Sequence, residues 1–254
     1  MSGLAGWRVI VTRSSEQASE LASLLEAEGA VPVLLDTIGI RPPADGGAAL
    51  AAAGAVAAEY DWIVFTSPNA AARTVPHLVG AIPQVAAIGP GTAAVLAELG
   101  VPVDLVARRH VAEGVLAEFP APAPAPASGA VGRVLLPQAA GARAVVAEGL
   151  RAIGYEVDVV EAYRTETSTP DPEQLIAAGG ADAVTFTSSS TVRGFLDVAG
   201  VELLPPVVAC IGPVTSATVA ELGLHVDVVA EDHSLPGLVA ALRAFADLRS
   251  GASS

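Results

Sequence analysis

AAIGPGTAAVLAELGVPVDLVA, from Ala86 to Ala107, returns as ACIGPVTSATVAELGLHVDVVA from Ala209 to Ala230, and the two match at 14 of 22 positions. Two further pairs keep the same order: RVIVTR from Arg8 with RVLLPQ from Arg133, and FTSPNAAART from Phe65 with FTSSSTVRGF from Phe186. The offsets of 123, 125 and 121 residues are too constant for chance in an Ala-rich chain. The sequence therefore reads as two copies of one unit of about 110 residues, a domain-sized duplication rather than a solenoid repeat.

Within each copy, short apolar runs alternate with helical patterns. Val9 to Val11, Ile63 to Phe65, Val134 to Leu136, Val184 to Phe186 and Val207 to Ile211 have the uninterrupted apolar character of strands buried in a parallel sheet. Ala18, Leu21, Leu25 and Glu28 lie on a helical ladder that Gly29 stops by taking a left-handed conformation. Gly100, Gly154 and Gly223 repeat the stop. After each Gly comes another strand candidate: Val31 to Leu35, Val101 to Val106, Val157 to Val160 and Val226 to Val229. About five strands per copy, with helices between them, predict two doubly wound α/β domains with parallel sheets. PAPAPAPA, from Pro120 to Ala127, cannot be a helix interior and reads as a linker, unless the copies exchange their first βα piece.

The 254 residues, 52% apolar, suffice for one large or two small cores. The longest apolar run, Ala48 to Ala58, is short of the roughly 20 residues that span a bilayer. Arg8 and Arg13 bracket only four residues, three of them apolar, so no signal peptide is expected and the address reads as cytoplasmic. A net charge of −14, with 13 Arg and no Lys, lacks the basic footprint of a nucleic-acid surface, yet leaves room for a small anion in a local cleft of Arg and backbone amides. Cys210, the one cysteine, excludes an internal disulfide and a Cys-cluster metal site, and reads as a small apolar residue at a strand end. His77, His110, His225 and His233 show no metal-ligand spacing and read as surface or loop residues. GPGT is not a GxxxxGK phosphate loop and no GxGxxG follows a strand, so nucleotide hydrolysis and dinucleotide binding have no support.

Small polar residues stand between a strand and the next helix in four places: Thr66, Ser67 and Asn69; Gly89, Gly91 and Thr92; Thr187 to Ser190, which includes Ser188 and Ser189; and Gly212 with Thr215. In an open parallel sheet such strand ends line the ligand crevice, and each following helix presents unpaired amides that hold carboxylates or phosphates. A single Ser or Thr there is equally an ordinary N-cap worth about 1 kcal/mol. The FTS and IGP strings, each present twice, point further, to two facing sets of amides suited to an elongated polyanion. Arg13 and Gln138 occupy matched positions after the first strand of each copy, Arg73 and Arg193 fall in helices after the FTS strings, and Arg143 lies early in its helix. Each Arg pairs a ligand carboxylate in fork geometry or ends in a surface ion pair, and Arg13 is favoured for the ligand. Tyr163, in VVEAYRT, stands after a strand and before a polar connector, where it either presents its hydroxyl to an interdomain cleft or anchors a hinge.

VTR at Val11 to Arg13, YDWIVFTSPNA at Tyr60 to Ala70, AAIGPGTA at Ala86 to Ala93, RVLLP at Arg133 to Pro137, YRT at Tyr163 to Thr165, FTSSS at Phe186 to Ser190 and CIGPVTS at Cys210 to Ser216, in this order and spacing, resemble the uroporphyrinogen-III synthase family from Arg8 to about Phe245. The resemblance implies two α/β domains joined by a two-stranded connector with an interdomain cleft. Residues 1–38 with 167–254 would form one, and 41–164 the inserted other, making PAPAPAPA a surface loop of the latter. It further implies a cyclising hydro-lyase of haem biosynthesis that turns hydroxymethylbilane, a linear tetrapyrrole with eight carboxylates, into uroporphyrinogen III and water. No cofactor, metal, nucleic acid or membrane is implied; the enzyme would be a cytoplasmic monomer receiving its substrate from hydroxymethylbilane synthase. Tyr163 matches the family tyrosine that assists departure of the hydroxyl, and Thr92, Thr215, Ser67 and Ser188 match positions lining the cleft. Thr12, Arg13, Asn69, Gln138, Arg143 and Ser189 complete the expected substrate contacts.

Three features depart from the family pattern: FTSSS lacks the usual Pro, PQAAGAR after Leu136 lacks the basic residue and Gly that commonly follow Pro, and Lys is absent. Two other readings suit the same residues. One is a non-catalytic two-domain hinge module for an anionic tetrapyrrole or other polycarboxylate. The other is an unrelated doubly wound enzyme acting on a sugar phosphate, for which a single catalytic acid or base at a strand end would be expected and is not found.

Overall fold

The structure is a computed structural model that describes residues 3–13, 15–122 and 131–251. The chain begins with β1 (Arg8–Val11), α1 (Ser15–Ala27), β2 (Val31–Leu34) and β3 (Ile38–Arg41). It continues through α2 (Ala48–Ala55), β4 (Trp62–Phe65), α3 (Pro68–Thr74), β5 (Gln84–Ala87), α4 (Pro90–Glu98), β6 (Leu105–Val106) and α5 (Ala112–Glu118). Next come β7 (Arg133–Ala139), α6 (Val145–Ala152), β8 (Glu156–Thr167) and α7 (Pro172–Ala178). It closes with β9 (Ala183–Phe186), α8 (Ser189–Ala199), β10 (Val207–Cys210), α9 (Pro213–Glu221), β11 (Val228–Val229) and α10 (Leu235–Gly251). Two compact units result: Met1–Ile40 with Thr165–Ser254, and Arg41–Arg164. Their boundaries fall inside β3 and β8.

The first unit holds a five-stranded parallel sheet ordered β11-β10-β9-β1-β2. Successive residues of β1 face opposite ways. Val9 and Val11 pack with Leu21 and Leu25 of α1 and Leu238 and Leu242 of α10, whereas Ile10 packs with Phe195 of α8 and Val219 of α9. Both faces are covered, which is why these strands read as unbroken apolar runs. Between β1 and β9 the connections diverge, β1 leading through α1 to β2 and β9 leading through α8 to β10. At such a switch point the C-terminal strand ends open a crevice.

The second unit carries a six-stranded sheet ordered β3-β8-β7-β4-β5-β6, parallel from β8 to β6. Leaving β3 aside, β7, β8, β4, β5 and β6 take the places of β1, β2, β9, β10 and β11, so this unit runs the same strand order from a different starting point. Trp62, Val64, Val134 and Leu136 pack with Val115 of α5 and Leu150 of α6 on one face. The switch point lies between β7 and β4.

Several elements differ from their sequence patterns. β8 extends well past Val160 because it goes on pairing, with β7 as far as Ala139 and with β3 on its other side. β6 and β11 are only two residues each. The chain before each is instead fastened by an Asp: Asp104 Oδ2 accepts from the Val85 N–H, and Asp227 Oδ2 from the Val208 N–H, both at 2.8 Å. β5 escapes a propensity reading because QVAA is rich in Ala, yet it lies between β4 and β6 with Val85, Ala86 and Ala87 fully buried. The four Gly stops do take left-handed φ, 81° at Gly29, 75° at Gly100, 107° at Gly154 and 76° at Gly223. PAPAPAPA runs on from Pro122 into residues that lie outside the described ones. Among the described residues, no helix is long and apolar enough to cross a membrane.

Candidate functional site

In the second unit β4 ends at Phe65, and Ser67 becomes the N-cap of α3 with extended backbone. Its Oγ accepts the Ala70 N–H at 3.1 Å and also lies 3.1 Å from Tyr163 Oη. Tyr163 comes from β8, two strands away, and is only 8% exposed. A β-bulge aims it. The β7–β8 register pairs Gln138 with Glu161 but Ala139 with Tyr163, leaving Ala162 as the extra residue, and the Ala140 N–H donates to the Tyr163 carbonyl at 2.8 Å. Ala162 and Tyr163 are consequently both buried, a break in alternation that a bulge produces. The residue expected just after a strand thus sits inside one.

The IGP strings build matching helix starts. Gly89 is the N-cap of α4 and supplies no side-chain cap; the first backbone bond comes from the Ala93 N–H to the Gly89 carbonyl at 3.1 Å. The amides of Gly91 and Thr92 precede that bond and so stand outside the helical ladder. Among the described residues, and apart from its chain neighbours and its own helix, no atom lies within 4 Å of where a Cβ on Gly91 would be. In the first unit Gly212 is the N-cap of α9, the Ser216 N–H donates to the Gly212 carbonyl at 3.0 Å, and the amides of Val214 and Thr215 hold the equivalent places. Thr92 and Thr215 are buried, 2% and 4% exposed.

His110 and His233, read as surface or loop residues, do lie in loops but are half-buried. Their rings rest on the two N-cap glycines: a Cβ would come within 3.1 Å of His110 at Gly89 and of His233 at Gly212. Each His stands 21 residues after its Gly, a repeated spacing that the sequence carries and the motif reading passed over.

At the other strand ends, Ser188 caps α8 in a capping box with Thr191, and its Oγ lies 2.9 Å from Ser190 Oγ. Ser189, where Pro is usual, places its Oγ 2.7 Å from Thr218 Oγ1 of α9, which also donates to the Val214 carbonyl. The missing Pro is thereby replaced by a tie between two helices. Thr12 is fully buried: its Oγ1 donates to the Thr185 carbonyl and its carbonyl accepts from Thr37 Oγ1, both at 2.8 Å, so the residue braces the end of β1 from within.

Arg13 follows β1 and is half-buried; burial draws its pKa below the ordinary guanidinium value while Glu20 opposes the shift. Asn69, in the first turn of α3, and Gln138, beside the bulge, are half-buried. Arg143 is exposed and precedes α6, which starts only at Val145, because β7 runs to Ala139 and Gly141 turns the chain with φ 68°. Arg193 is exposed and 3.7 Å from Glu221, an ordinary surface pair. Within the second unit the structure thus brings Ser67 and Tyr163 into contact, and within the first it joins Ser188 and Ser189 to hydroxyls of α8 and α9. Cys210 is fully buried, and that burial pushes its thiol up to about 12, away from nucleophilic use.

A family model described as "Uroporphyrinogen-III synthase HemD" matches residues 19–240. The chain is similar to the uroporphyrinogen-III synthase of Synechococcus elongatus, 31% identical over 262 residues that cover 96% of this chain and 97% of that protein. It is 35% identical over 251 residues to a putative uroporphyrinogen-III synthase of Methanothermobacter thermautotrophicus, covering 91% of this chain and 96% of that protein. A crystal structure of a mutant uroporphyrinogen III synthase from Thermus thermophilus has the same fold, with a TM-score of 0.61 at 19% identity over 96% of this chain and 100% of that one. Matched by the family model over most of its length and by relatives above 30% identity along nearly all of it, the chain belongs to the uroporphyrinogen-III synthase family.

Proposed function

We propose that the protein converts hydroxymethylbilane to uroporphyrinogen III and water, closing the macrocycle with inversion of the last ring. The observation that carries this reading is the Tyr163 hydroxyl, held against Ser67 just past the end of β4, beside the strand-order switch of its sheet. In the proposed reaction the C–O bond of the hydroxymethyl group breaks with its electron pair on oxygen. The Tyr163 proton joins that oxygen, water leaves, and the neighbouring pyrrole nitrogen supplies electrons to the carbon. The last ring attacks through its substituted carbon to form a spirocyclic intermediate. The old bridge bond then breaks, the ring turns over, and its free carbon closes the macrocycle; the proton released there restores the tyrosine.

Unguided closure gives the symmetrical type I isomer, so the protein's contribution is chiefly orientation. The amides of Gly91, Thr92, Val214 and Thr215 supply donors for the substrate's carboxylates, as helix N-termini do for anions. Arg13 adds a charge-assisted donor. Asn69, Gln138, Arg143, Ser188 and Ser189 complete the proposed contacts, and Thr12, expected among them, serves instead by bracing the strand end before Arg13 through its bonds to Thr185 and Thr37. On this reading the units, drawn at residues 1–38 with 167–254 and at 41–164, arose by duplication, with β3 and β8 as a two-stranded connector. A substrate with eight carboxylates engages the strand ends of both. The setting is a cytoplasmic monomer supplied by the preceding synthase.

The test is to supply freshly generated hydroxymethylbilane to the purified protein, oxidise the products and separate the type I and type III isomers. A dominant type III product is expected. Type I alone, at the rate without protein, would return this fold to a non-catalytic binder of an anionic tetrapyrrole.

A further inference from the structure

Ser67 and Ser188 hold the same place in the two FTS strings and differ in what they bind. Ser188 is closed within its own helix start, accepting the Thr191 N–H at 3.3 Å while its own N–H donates to Thr191 Oγ1 at 3.2 Å. At the equivalent position α3 has Ala70, which has no hydroxyl to return, and the second contact of Ser67 is the Tyr163 hydroxyl, 96 residues away. A serine oxygen has one hydrogen to give and two lone pairs to receive. One lone pair of Ser67 Oγ takes the Ala70 N–H, and an oxygen polarised in that way becomes a stronger donor.

We infer that Ser67 is a positioning residue for Tyr163: its Oγ–H donates to the phenol oxygen, so that the phenol's own hydrogen is turned away from Ser67 and presented to the substrate. The reverse orientation would tie up the hydrogen that the reaction needs. As the phenol gives up its proton, the same Ser67 bond strengthens on the developing phenolate. This inference rests on the activity proposed above and assigns Ser67 a role through Tyr163 in place of direct substrate contact.

The experiment is a double-mutant cycle on type III isomer formation, with Ser67→Ala, Ser67→Thr, Tyr163→Phe and Ser67→Ala/Tyr163→Phe. Ser67→Ala is expected to lower kcat by roughly ten-fold or more with little change in KM, as loss of a bond to a charged group does. Ser67→Thr should restore most of the rate, and the double variant should match Tyr163→Phe alone, because Ser67 then has nothing to act through. Thermal unfolding checks that each variant is folded. Where Ser67→Ala fails to fold, Ser67→Asp decides: a carboxylate still accepts the Ala70 N–H but has no hydrogen to give, so a folded and slow enzyme is expected. Multiplying effects in the cycle, a change in KM alone, or a fast Ser67→Asp enzyme would overturn the inference while leaving the activity intact. A wild-type protein that yields only type I isomer would overturn both.

Discussion

Tyr163 owes its direction to one extra residue, Ala162, whose insertion into the β7–β8 ladder turns the phenol toward Ser67. Removing the hydroxyl should leave the aromatic packing in place and cost about 1 kcal/mol of stability at most. Tyr163→Phe is therefore expected to slow turnover while unfolding cooperatively near the wild-type temperature; wild-type kinetics would remove it from the mechanism. Replacing Thr92 and Thr215 together by Val keeps the helix-start amides and tests whether the two hydroxyls beside them also hold substrate. A KM raised roughly ten-fold is expected from two lost polar contacts, and unchanged kinetics would count against both residues. Cys210 offers an internal probe, since a thiol this buried, with its pKa pushed up to about 12, reacts only when the chain opens. Labelling in native buffer should proceed at the unfolding rate, and labelling as fast as in denaturant would contradict that.

The two units carry matching devices element by element, and some are visible only as close approaches. Gly114 in α5 and Gly237 in α10 stand 123 residues apart, and at each an added Cβ would overlap a backbone carbonyl, that of Arg109 or Asp232. Glycine inside a helix ordinarily costs about 0.5–1 kcal/mol relative to Ala. Here the sign reverses: Gly114→Ala and Gly237→Ala should each destabilise by about 1–3 kcal/mol in chemical denaturation, as overpacking does. Neutral or stabilising results would show that the loop before each helix yields. The Gly stops and the strands around Val9, Ile63, Val134, Val184 and Val207 were legible because each depends on a few neighbouring residues. β5 was not, since Ala-rich QVAA becomes a strand only when β4 and β6 flank it.

Each unit has its own core, built around Val9, Ile10 and Phe186 in one and Val64, Val134 and Leu150 in the other. The second unit is also continuous in the chain, from Arg41 to Arg164. Residues 41–164 expressed alone should therefore fold with a single cooperative transition, whereas residues 1–40 should not, because β1 needs β9 beside it. An unfolded 41–164 fragment would show that the two cores depend on each other. Alkaline stability tests both units. Burial, then the bond from Tyr60 to Asp158, raises Tyr60 to about 12 in the second unit, while burial alone does so for Cys210 in the first. Ordinary values for these groups are about 10 and about 8.5. A pKa raised in the folded state contributes fully below the unfolded value and is lost as pH rises toward the folded one, so the thermal midpoint should fall progressively between about pH 9 and pH 12. A flat profile there would contradict both shifts.

The amino-acid sequence was sufficient for whatever a short window encodes: the repeated strings, the buried strand runs, the Gly that ends each of four helices, and the polar residues set between strand and helix. Tertiary structure alone decided which strands lie side by side, the seating of two histidines on the N-cap glycines, and the bulge that brings Tyr163 to Ser67. The reason is physical. Periodicity and capping act over one or two turns, whereas β1 chooses β9, and Ser67 meets Tyr163, only after cores distant in the chain have closed around them.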